Sequence, residues 1–248
     1  MYKVFHKVIE GYKMKSSELK GFLTGLLIGD GSIDKGVTKR AFSIKSVDKS
    51  FIDKIETEIK SCTNFKYVVK HTPEHFSCGC NHKESWEFRI LAHPYFNKIY
   101  HKFYNDYRHR IISKFIPKYI TPYGVAMWYC SDGYICLVGR TKGIIRSRRV
   151  DIATDRYSKT EVENLSKMML NKFGIKCSVI SRGSLYRLRV VKDSYEDFIN
   201  LIFPYVVPSM YYKLYLGYEQ KPIWMSDEGW NLQCFILSAI TQTGNAVG

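Results

Sequence analysis

One short pattern of residues occurs twice in this chain, and it constrains the fold more than any other feature of the sequence. Residues 23–31 and residues 125–133 are both apolar runs that end in Asp-Gly. The two aspartates, Asp30 and Asp132, lie 132 − 30 = 102 positions apart. A glycine that follows an apolar helical run is typical of a helix end, because glycine adopts the left-handed conformation there without strain. The pattern therefore predicts two helices, each with an aspartate in its last turn.

A carboxylate at the C-terminal end of a helix is disfavoured by the helix dipole. Because the chain places a carboxylate there twice, in the same register, we expect a positive partner between Asp30 and Asp132. A divalent metal ion suits this place, since hard cations bind carboxylate and carbonyl oxygens.

The two halves of the chain agree beyond this motif. Residues 86–90 match residues 186–190, and the aliphatic spacing of residues 51–55 resembles that of residues 161–165. A duplication of this size indicates two similar subdomains rather than a solenoid, whose period would be shorter. Each half shows the order helix, strand, strand, helix, strand, strand, helix, and helices near 93–113 are expected to end the first half.

These patterns predict an α+β fold of two pseudo-symmetric αββαββα subdomains. We expect the first subdomain at 1–118, the second at 119–218, and a C-terminal extension at 219–248, which has no counterpart in the first half.

The charge balance favours a polyanionic partner. The chain has 38 Lys and Arg against 23 Asp and Glu, a formal net charge of +15. The plain alternative is a basic protein from an AT-rich genome, in which lysine codons are common. Basic residues at outward strand positions favour nucleic acid, because a two-stranded ribbon fits the major groove and arginine binds guanine there. The candidate DNA-binding residues are Lys45, Arg89, Arg146, Arg148, Arg149, Arg182, Arg187 and Arg189.

The seven cysteines are odd in number and scattered, which favours free thiols in a reducing intracellular compartment, either cytoplasm, nucleoid or organelle matrix. We also expect no membrane association, since no apolar run is long enough to span a bilayer. A zinc site and a hairpin loop near DNA are alternative interpretations of one segment rich in possible ligands, although Cys-x-Cys is not the usual zinc spacing. Its residues are His71, His75, Cys78, Cys80 and His82.

Three glycines at positions i, i+4 and i+8 of the first motif helix form one smooth face for close contact with another helix. Gly29 aligns with Ser131 of the second motif, so these two should meet nearest the aspartates. Ordinary close helix packing produces the same pattern. The predicted interface residues are Gly21, Gly25, Gly29, Ala126 and Ser131.

The repeated motif resembles that of the LAGLIDADG family of homing endonucleases. The second copy is looser than the first and has Met127 where the family usually has glycine, and neither copy has the motif's first acid. The matching residues are Leu23, Gly25, Leu26, Asp30 and Gly31 in the first copy, and Ala126, Asp132 and Gly133 in the second. The resemblance covers about residues 17–218 and is to single-chain members with two motifs.

This resemblance implies two saddle-shaped antiparallel sheets that straddle double-stranded DNA and are joined through the motif helices. It implies a monomeric, sequence-specific endonuclease that makes a double-strand break in a long asymmetric site. Mg²⁺, with Mn²⁺ as a substitute, would be held by two carboxylates and two backbone carbonyls. These ligands would come from Asp30, Asp132, Gly29 and Ser131.

The resemblance also matches Lys114 and Lys213 to the family's active-site lysines. Their spacing from the motifs is similar, 114 − 30 = 84 and 213 − 132 = 81 residues. A solvated surface charge is the alternative for each lysine. Two other functions of the same fold also remain open, an intron maturase that binds RNA and a DNA-binding regulator that has lost catalysis.

Overall fold

The computed structural model of the 248-residue chain describes residues 14–15, 17–34, 40–77, 79–141 and 144–214, with the side chains of residues 136–148 outside this description. The predicted extension at 219–248 lies outside the described residues. No described helix is both long and apolar enough to cross a membrane.

The described part of the first half contains three helices and a four-stranded antiparallel sheet, in the strand order β1-β2-β6-β3. A separate hairpin, β4-β5, is inserted between β3 and β6. The elements are α1 (Leu19–Ile28), β1 (Ser32–Ile33), β2 (Phe42–Ser46), α2 (Lys49–Cys62), β3 (Tyr67–Thr72), β4 (His75–Ser77), β5 (Cys80–His82), β6 (Ser85–Ile90) and α3 (Pro94–Phe103).

The second half repeats this order after a short helix, and its sheet has the equivalent strand order β7-β8-β10-β9. One 3₁₀ segment precedes the last helix, and two more, Phe203–Tyr205 and Pro208–Leu214, end the described chain. The elements are α4 (Ile116–Tyr119), α5 (Pro122–Asp132), β7 (Gly133–Thr141), β8 (Ile144–Ala153), α6 (Lys159–Phe173), β9 (Cys177–Arg182), β10 (Leu185–Val190) and α7 (Tyr195–Ile202). The predicted α+β fold of two αββαββα units with open antiparallel sheets is therefore confirmed.

Each sheet buries one face against helices. Alternate residues of the central strands, such as Phe42 and Phe88 in the first half and Ile152 and Leu188 in the second, are fully or almost fully buried. Because side chains alternate across a strand, the residues between them lie on the opposite face. The outward positions include Lys45, Arg89, Arg149, Arg187 and Arg189. The strand positions of Arg146 and Arg148 follow the same alternation as Val150 and Ile152.

The two motif helices form the centre of the molecule. All of residues 21–28 in α1 and 123–130 in α5 are buried, and a helix that is apolar all round belongs inside a protein. Thr121 starts α5 by accepting a hydrogen bond from the Gly124 N–H, and Pro122 occupies the first helical turn, where a missing N–H costs nothing. The local sequence thus accounts for the sharp start of the second motif helix.

Helices were predicted near 93–113, and this prediction is wrong beyond Phe103, where α3 ends. The chain instead turns through Asn105, whose side chain accepts a hydrogen bond from the His109 N–H at 2.9 Å, and through Arg108, which has a left-handed φ of 62°. Tyr104 and Arg110 then pair as an isolated antiparallel bridge. This turn brings Arg110 back towards the end of α1.

Candidate active site

The helices α1 and α5 touch along a row of small residues. A Cβ atom placed at Gly25 would lie only 1.8 Å from the carbonyl oxygen of Gly124, and one placed at Gly21 would lie 2.4 Å from Cγ2 of Thr121. A Cβ at Gly29 would lie 2.7 Å from the Ser131 Cβ. The tightest contact is therefore Gly25 against Gly124, a partner that the sequence analysis missed.

Ala126, which was predicted to lie at this interface, is fully buried in α5. The contact with Ser131 lies at the C-terminal end of the helix pair, as the motif register predicts. Gly124 could have been found from the sequence, because it lies seven residues before Ser131 and so falls on the same helix face.

The glycines that follow the aspartates serve close packing rather than a left-handed turn, so that part of the prediction is wrong. Gly133 has a φ of −79°, and Gly31 is not among the glycines with positive φ. A Cβ at Gly133 would lie 2.0 Å from the Tyr129 ring, and one at Gly31 would lie 2.7 Å from the Leu26 carbonyl oxygen. A side chain is excluded at both positions by its neighbours.

The two motif aspartates meet at the joint end of the helix pair. Asp132 is the last residue of α5, whereas Asp30 lies just after the end of α1, with a side chain 47% exposed. Burial, and then the nearby Asp30 carboxylate, raise the pKa of Asp132 to about 7. Cations act against this rise in the pKa of Asp132, in decreasing order Arg156, Arg110 and Lys213.

Basic side chains bind the backbone carbonyls of both motifs. In the second motif, Lys213 Nζ donates to the Cys130 carbonyl at 2.5 Å and to the Ser131 carbonyl at 3.4 Å. Burial lowers the pKa of Lys213 from its ordinary value. In the first motif, Arg110 donates to the Gly29 carbonyl, and to the Gly31 carbonyl at 2.6 Å.

Arg110, rather than Lys114, therefore occupies the first-half position that Lys213 occupies in the second half. Arg110 lies 110 − 30 = 80 residues after Asp30, and this spacing is nearer to the 81 residues of the second half than the 84 residues of Lys114. Lys114 is exposed and lines a shallow pocket between α4 and α6 with residues such as Pro117 and Asn164. The spacing from the motif aspartate could have indicated Arg110 from the sequence. The helical prediction for 93–113 gave no reason to expect the chain to turn back towards α1 at this residue.

Two further residues from the second half reach the first motif, and the sequence analysis missed both. Arg156 Nη2 lies 3.8 Å from Asp30 Oδ1, and Arg156 Nη1 donates to the Gly29 carbonyl at 3.3 Å. The buried Tyr157 hydroxyl donates to the Ile28 carbonyl at 2.8 Å. Both precede α6, and their role depends on a contact between the two halves, so no local pattern marks them.

The donor set at this place fits a hard divalent cation. Two carboxylates and two motif carbonyls are oxygen ligands of the kind that Mg²⁺ and Mn²⁺ bind. The carboxyl of Asp132 has a raised pKa because the surrounding cations do not fully offset its burial and the charge of Asp30, and a metal ion would supply the missing charge. Among the described residues no group of three or more His, Cys, Asp or Glu could hold a metal.

The predicted DNA-binding residues fall on the outward sheet faces, where their side chains are described. Lys45 on β2 and Arg182 at the end of β9 are exposed. Arg89 donates to Asp34 at 3.0 Å. Arg149, Arg187 and Arg189 form ion pairs with aspartates of the second half, and the side chains of Arg146 and Arg148 lie outside the described residues.

Among the possible zinc ligands, His71 lies on β3, whereas His75, Cys80 and His82 lie on the hairpin β4-β5. His75 and His82 stack on each other at 4.9 Å between ring centroids, and His71 binds Glu84 at 2.7 Å. Cys78 lies outside the described residues, whereas Cys80 is an exposed free thiol. The described part of the segment thus forms an exposed hairpin without a grouped set of ligands.

Comparison with known proteins identifies the family. A family model described as "LAGLIDADG DNA endonuclease family" matches residues 20–198. The "Intron-encoded endonuclease ai4" of Dictyostelium discoideum is 32% identical over 160 residues, which cover 62% of this chain and 91% of that protein. The "Cytochrome b mRNA maturase bI2" of Debaryomyces hansenii is 24% identical over 216 residues, which cover 84% and 77%.

A solved structure has the same fold. "The homing endonuclease I-WcaI bound to its DNA recognition sequence" aligns with a TM-score of 0.67 and 22% identity, covering 85% of this chain and 91% of that one. The family model spans more than half of this chain, and both motif helices lie at the centre of the fold. The chain therefore belongs to the LAGLIDADG DNA endonuclease family.

Proposed function

We propose that this protein is a monomeric homing endonuclease that makes a double-strand break in a long, asymmetric DNA site. Membership of the family supports the nuclease class. The likeness to a homing endonuclease described as bound to its recognition sequence supports double-stranded DNA as the partner. The differing side chains of the two sheets support an asymmetric site.

The observation that carries this proposal is the joint end of the two motif helices. The small residues Gly29 and Ser131 allow the helix ends to approach, and this approach places Asp30 beside Asp132. Each strand of a duplex needs its own hydrolytic centre, and each aspartate belongs to a different half. One carboxylate from each half suits two cuts made by one chain.

In this proposal, Asp30, Asp132 and the carbonyls of Gly29 and Ser131 hold Mg²⁺, which Mn²⁺ can replace. When bound, such ions activate water and stabilise the leaving oxygen of a phosphodiester. Lys213 already touches the Ser131 carbonyl in the second half. We assign it to ordering that carbonyl and to placing a positive charge near the scissile phosphate.

In the first half we assign the same role to Arg110, in place of Lys114. Its two donor nitrogens bridge the carbonyls of Gly29 and Gly31, so it fixes the turn that carries Asp30. Arg156 adds a second positive charge beside Asp30. The phosphate that approaches the first motif would therefore meet two guanidinium groups.

The experiment is a selection on a library of randomised DNA duplexes with Mg²⁺ as the metal. We expect enrichment of one asymmetric site and cleavage of both of its strands, with no cleavage when EDTA replaces Mg²⁺. A selected site that is cut equally well in EDTA would contradict the metal-dependent mechanism. The absence of any selected or cut sequence would contradict the function itself.

A maturase that binds RNA is the second candidate, because two relatives carry the name of an mRNA maturase. Both aspartates are retained in this chain, which favours cleavage. We also propose a reducing compartment for either function, since Cys80, Cys130 and Cys177 are free thiols. Stimulation of intron splicing by the protein, without cleavage of any duplex, would favour the maturase.

A further inference from the structure

One polar network crosses the outward face of the second sheet. It runs over the strands β7, β8 and β10 and into the loop after β8. Its members are Tyr134, Arg149, Asp151, Asp155, Arg187 and Arg189. At its centre, Asp151 is only 2% exposed although it belongs to the open face of the sheet.

The carboxylate of Asp151 binds two guanidinium groups. Arg189 lies directly opposite on β10, and donates from Nε to Oδ1 at 2.7 Å and from Nη2 to Oδ2 at 3.1 Å. Arg149 Nε lies 3.3 Å from Oδ2, an ion-pair contact whose geometry is not that of a hydrogen bond. Two parallel bonds to one carboxylate restrict the plane of a guanidinium more than a single bond does.

Tyr134 connects this centre to a third arginine. Its hydroxyl accepts a hydrogen bond from Arg187 Nη1 at 2.6 Å and donates to Asp151 Oδ2 at 3.3 Å. The other edge of Arg187 binds Asp155, from Nε to Oδ1 and from Nη2 to Oδ2, both at 3.1 Å. The three arginines are therefore held by one continuous set of contacts.

A buried carboxylate on a face that meets DNA requires a reason. It repels phosphates, and its removal from water is costly unless partners compensate. Here the partners are the same arginines that the sequence marks as DNA-binding residues. Holding them in one orientation reduces the side-chain entropy that they lose on binding, and a pre-oriented fork suits the O6 and N7 atoms of guanine.

The first sheet has small residues at the equivalent positions. By strand register, Ser43 occupies the place of Asp151 and Ser32 the place of Tyr134. Their hydroxyl oxygens lie 3.3 Å apart. Arg89, the counterpart of Arg189, contacts Asp34 through Nη2 at 3.0 Å. The described part of the first sheet thus shows no such network at these positions.

We propose that Asp151 is a positioning residue for base recognition. It holds Arg149 and Arg189 side by side, so that the half-site under the second sheet is recognised through guanines, and Tyr134 extends this order to Arg187. This inference rests on the proposed function and goes beyond it, because it assigns guanine specificity to one half of the site.

The test applies the same randomised-duplex selection, read out as binding, to wild type, Asp151→Asn and Arg189→Lys. Arg189→Lys retains the positive charge but loses the two parallel N–H donors of the guanidinium group. The guanine positions at which Arg189→Lys lowers enrichment therefore mark the half-site under the second sheet. We expect Asp151→Asn to lower guanine enrichment at those positions about tenfold, and to leave the other half-site unchanged. The salt dependence of binding, which counts phosphate contacts, should stay the same.

Two control variants separate positioning from a general loss of charge or stability. Asp53→Asn removes a carboxylate from the exposed face of α2, and Ser43→Ala alters the register-equivalent position of the first sheet; neither should change those guanines. Tyr134→Phe keeps Asp151 but removes the link to Arg187, so a partial loss of enrichment is expected. If Asp151→Asn has a lower melting temperature than wild type, Tyr134→Phe is the variant that decides whether the network positions the arginines.

A wild-type protein that selects no sequence overturns the proposed function, and with it this inference. A selected site whose guanines are equally enriched by wild type, Asp151→Asn and Tyr134→Phe overturns this inference alone. A uniform loss of affinity for all sequences, with guanine enrichment intact, assigns Asp151 a structural role only and also overturns it.

Discussion

The two halves of this protein share a backbone plan but differ in the side chains that the plan presents. Both have the same strand order and an aspartate at the end of a buried helix. In the second half, Lys213 binds the motif carbonyls and Asp151 gathers arginines, whereas in the first half Arg110 binds the carbonyls and serines replace the acid. Duplication therefore conserved the scaffold, while the surfaces that would meet DNA and metal diverged.

The difference extends to the contact between the halves. Arg156 and Tyr157 of the second half bind carbonyls of the first motif, and Glu161 accepts a hydrogen bond from the Ile112 N–H at 2.9 Å. The first motif is thus supported by both halves. Under the proposed function, the two aspartates therefore need not bind metal or support cleavage equally.

The largest expected effect is on cleavage and comes from the two motif aspartates, one in each half. Asp30→Asn and Asp132→Asn should each reduce double-strand cleavage more than about 100-fold, because loss of a direct metal ligand costs more than loss of a residue behind it. DNA binding should be largely retained. Linearisation of a plasmid that carries the selected site measures cleavage, with Asp53→Asn as the control. Full cutting by either motif variant would contradict the two-acid centre.

The next prediction tests whether Arg110 is the counterpart of Lys213. Arg110→Ala and Lys213→Ala should each reduce the cleavage rate by about 10–100-fold, since each side chain binds a carbonyl that is a proposed metal ligand. Lys114→Ala should cut at a rate close to wild type. If Lys114→Ala lost as much activity as Lys213→Ala while Arg110→Ala cut normally, the assignment from the sequence resemblance would be correct instead.

A smaller effect is expected on stability from the helix contact. Gly25→Ala adds a Cβ atom that would lie 1.8 Å from the Gly124 carbonyl oxygen, so the two helices would have to move apart. Overpacking of this kind costs about 1–3 kcal/mol, which lowers the melting temperature by roughly 2–10 °C in a chain of this size. Thr160→Ala, on the exposed surface of α6, is the matched control. Equal melting temperatures for the two variants would mean that the helices do not pack in this way.

The last prediction concerns the pH dependence of stability and tests the environment of Asp132. Because the pKa of Asp132 is raised to about 7 in the folded protein, the folded state holds a proton that the unfolded state releases near pH 4. The free energy of unfolding of the metal-free protein should therefore decrease as pH rises from about 4 to about 7. Asp132→Asn should flatten this decrease, which melting curves in EDTA measure. An unchanged slope would contradict the burial of Asp132.

Much of the fold follows from patterns within short stretches of sequence. The repeated apolar run with Asp-Gly marks both motif helices, and alternating residues mark most strands. These patterns are visible in the sequence because an element that is buried on one face repeats its apolar residues with a period of 2 in a strand and 3.6 in a helix. The row Gly21, Gly25 and Gly29 even indicates which face of α1 meets α5, and the register of the motifs places Gly29 against Ser131.

The sequence by itself determined the two-fold repeat, the pairing of the motif helices and the two aspartates at their ends. Only the tertiary structure decided which basic side chains contact the two motif ends. Arg110 reaches the first motif through a turn that replaces a predicted helix, and Arg156 reaches it from the other half of the chain. Such contacts join residues 79 to 127 positions apart. No local periodicity records them, because the energy of an ion pair or hydrogen bond depends on distance in space rather than along the chain.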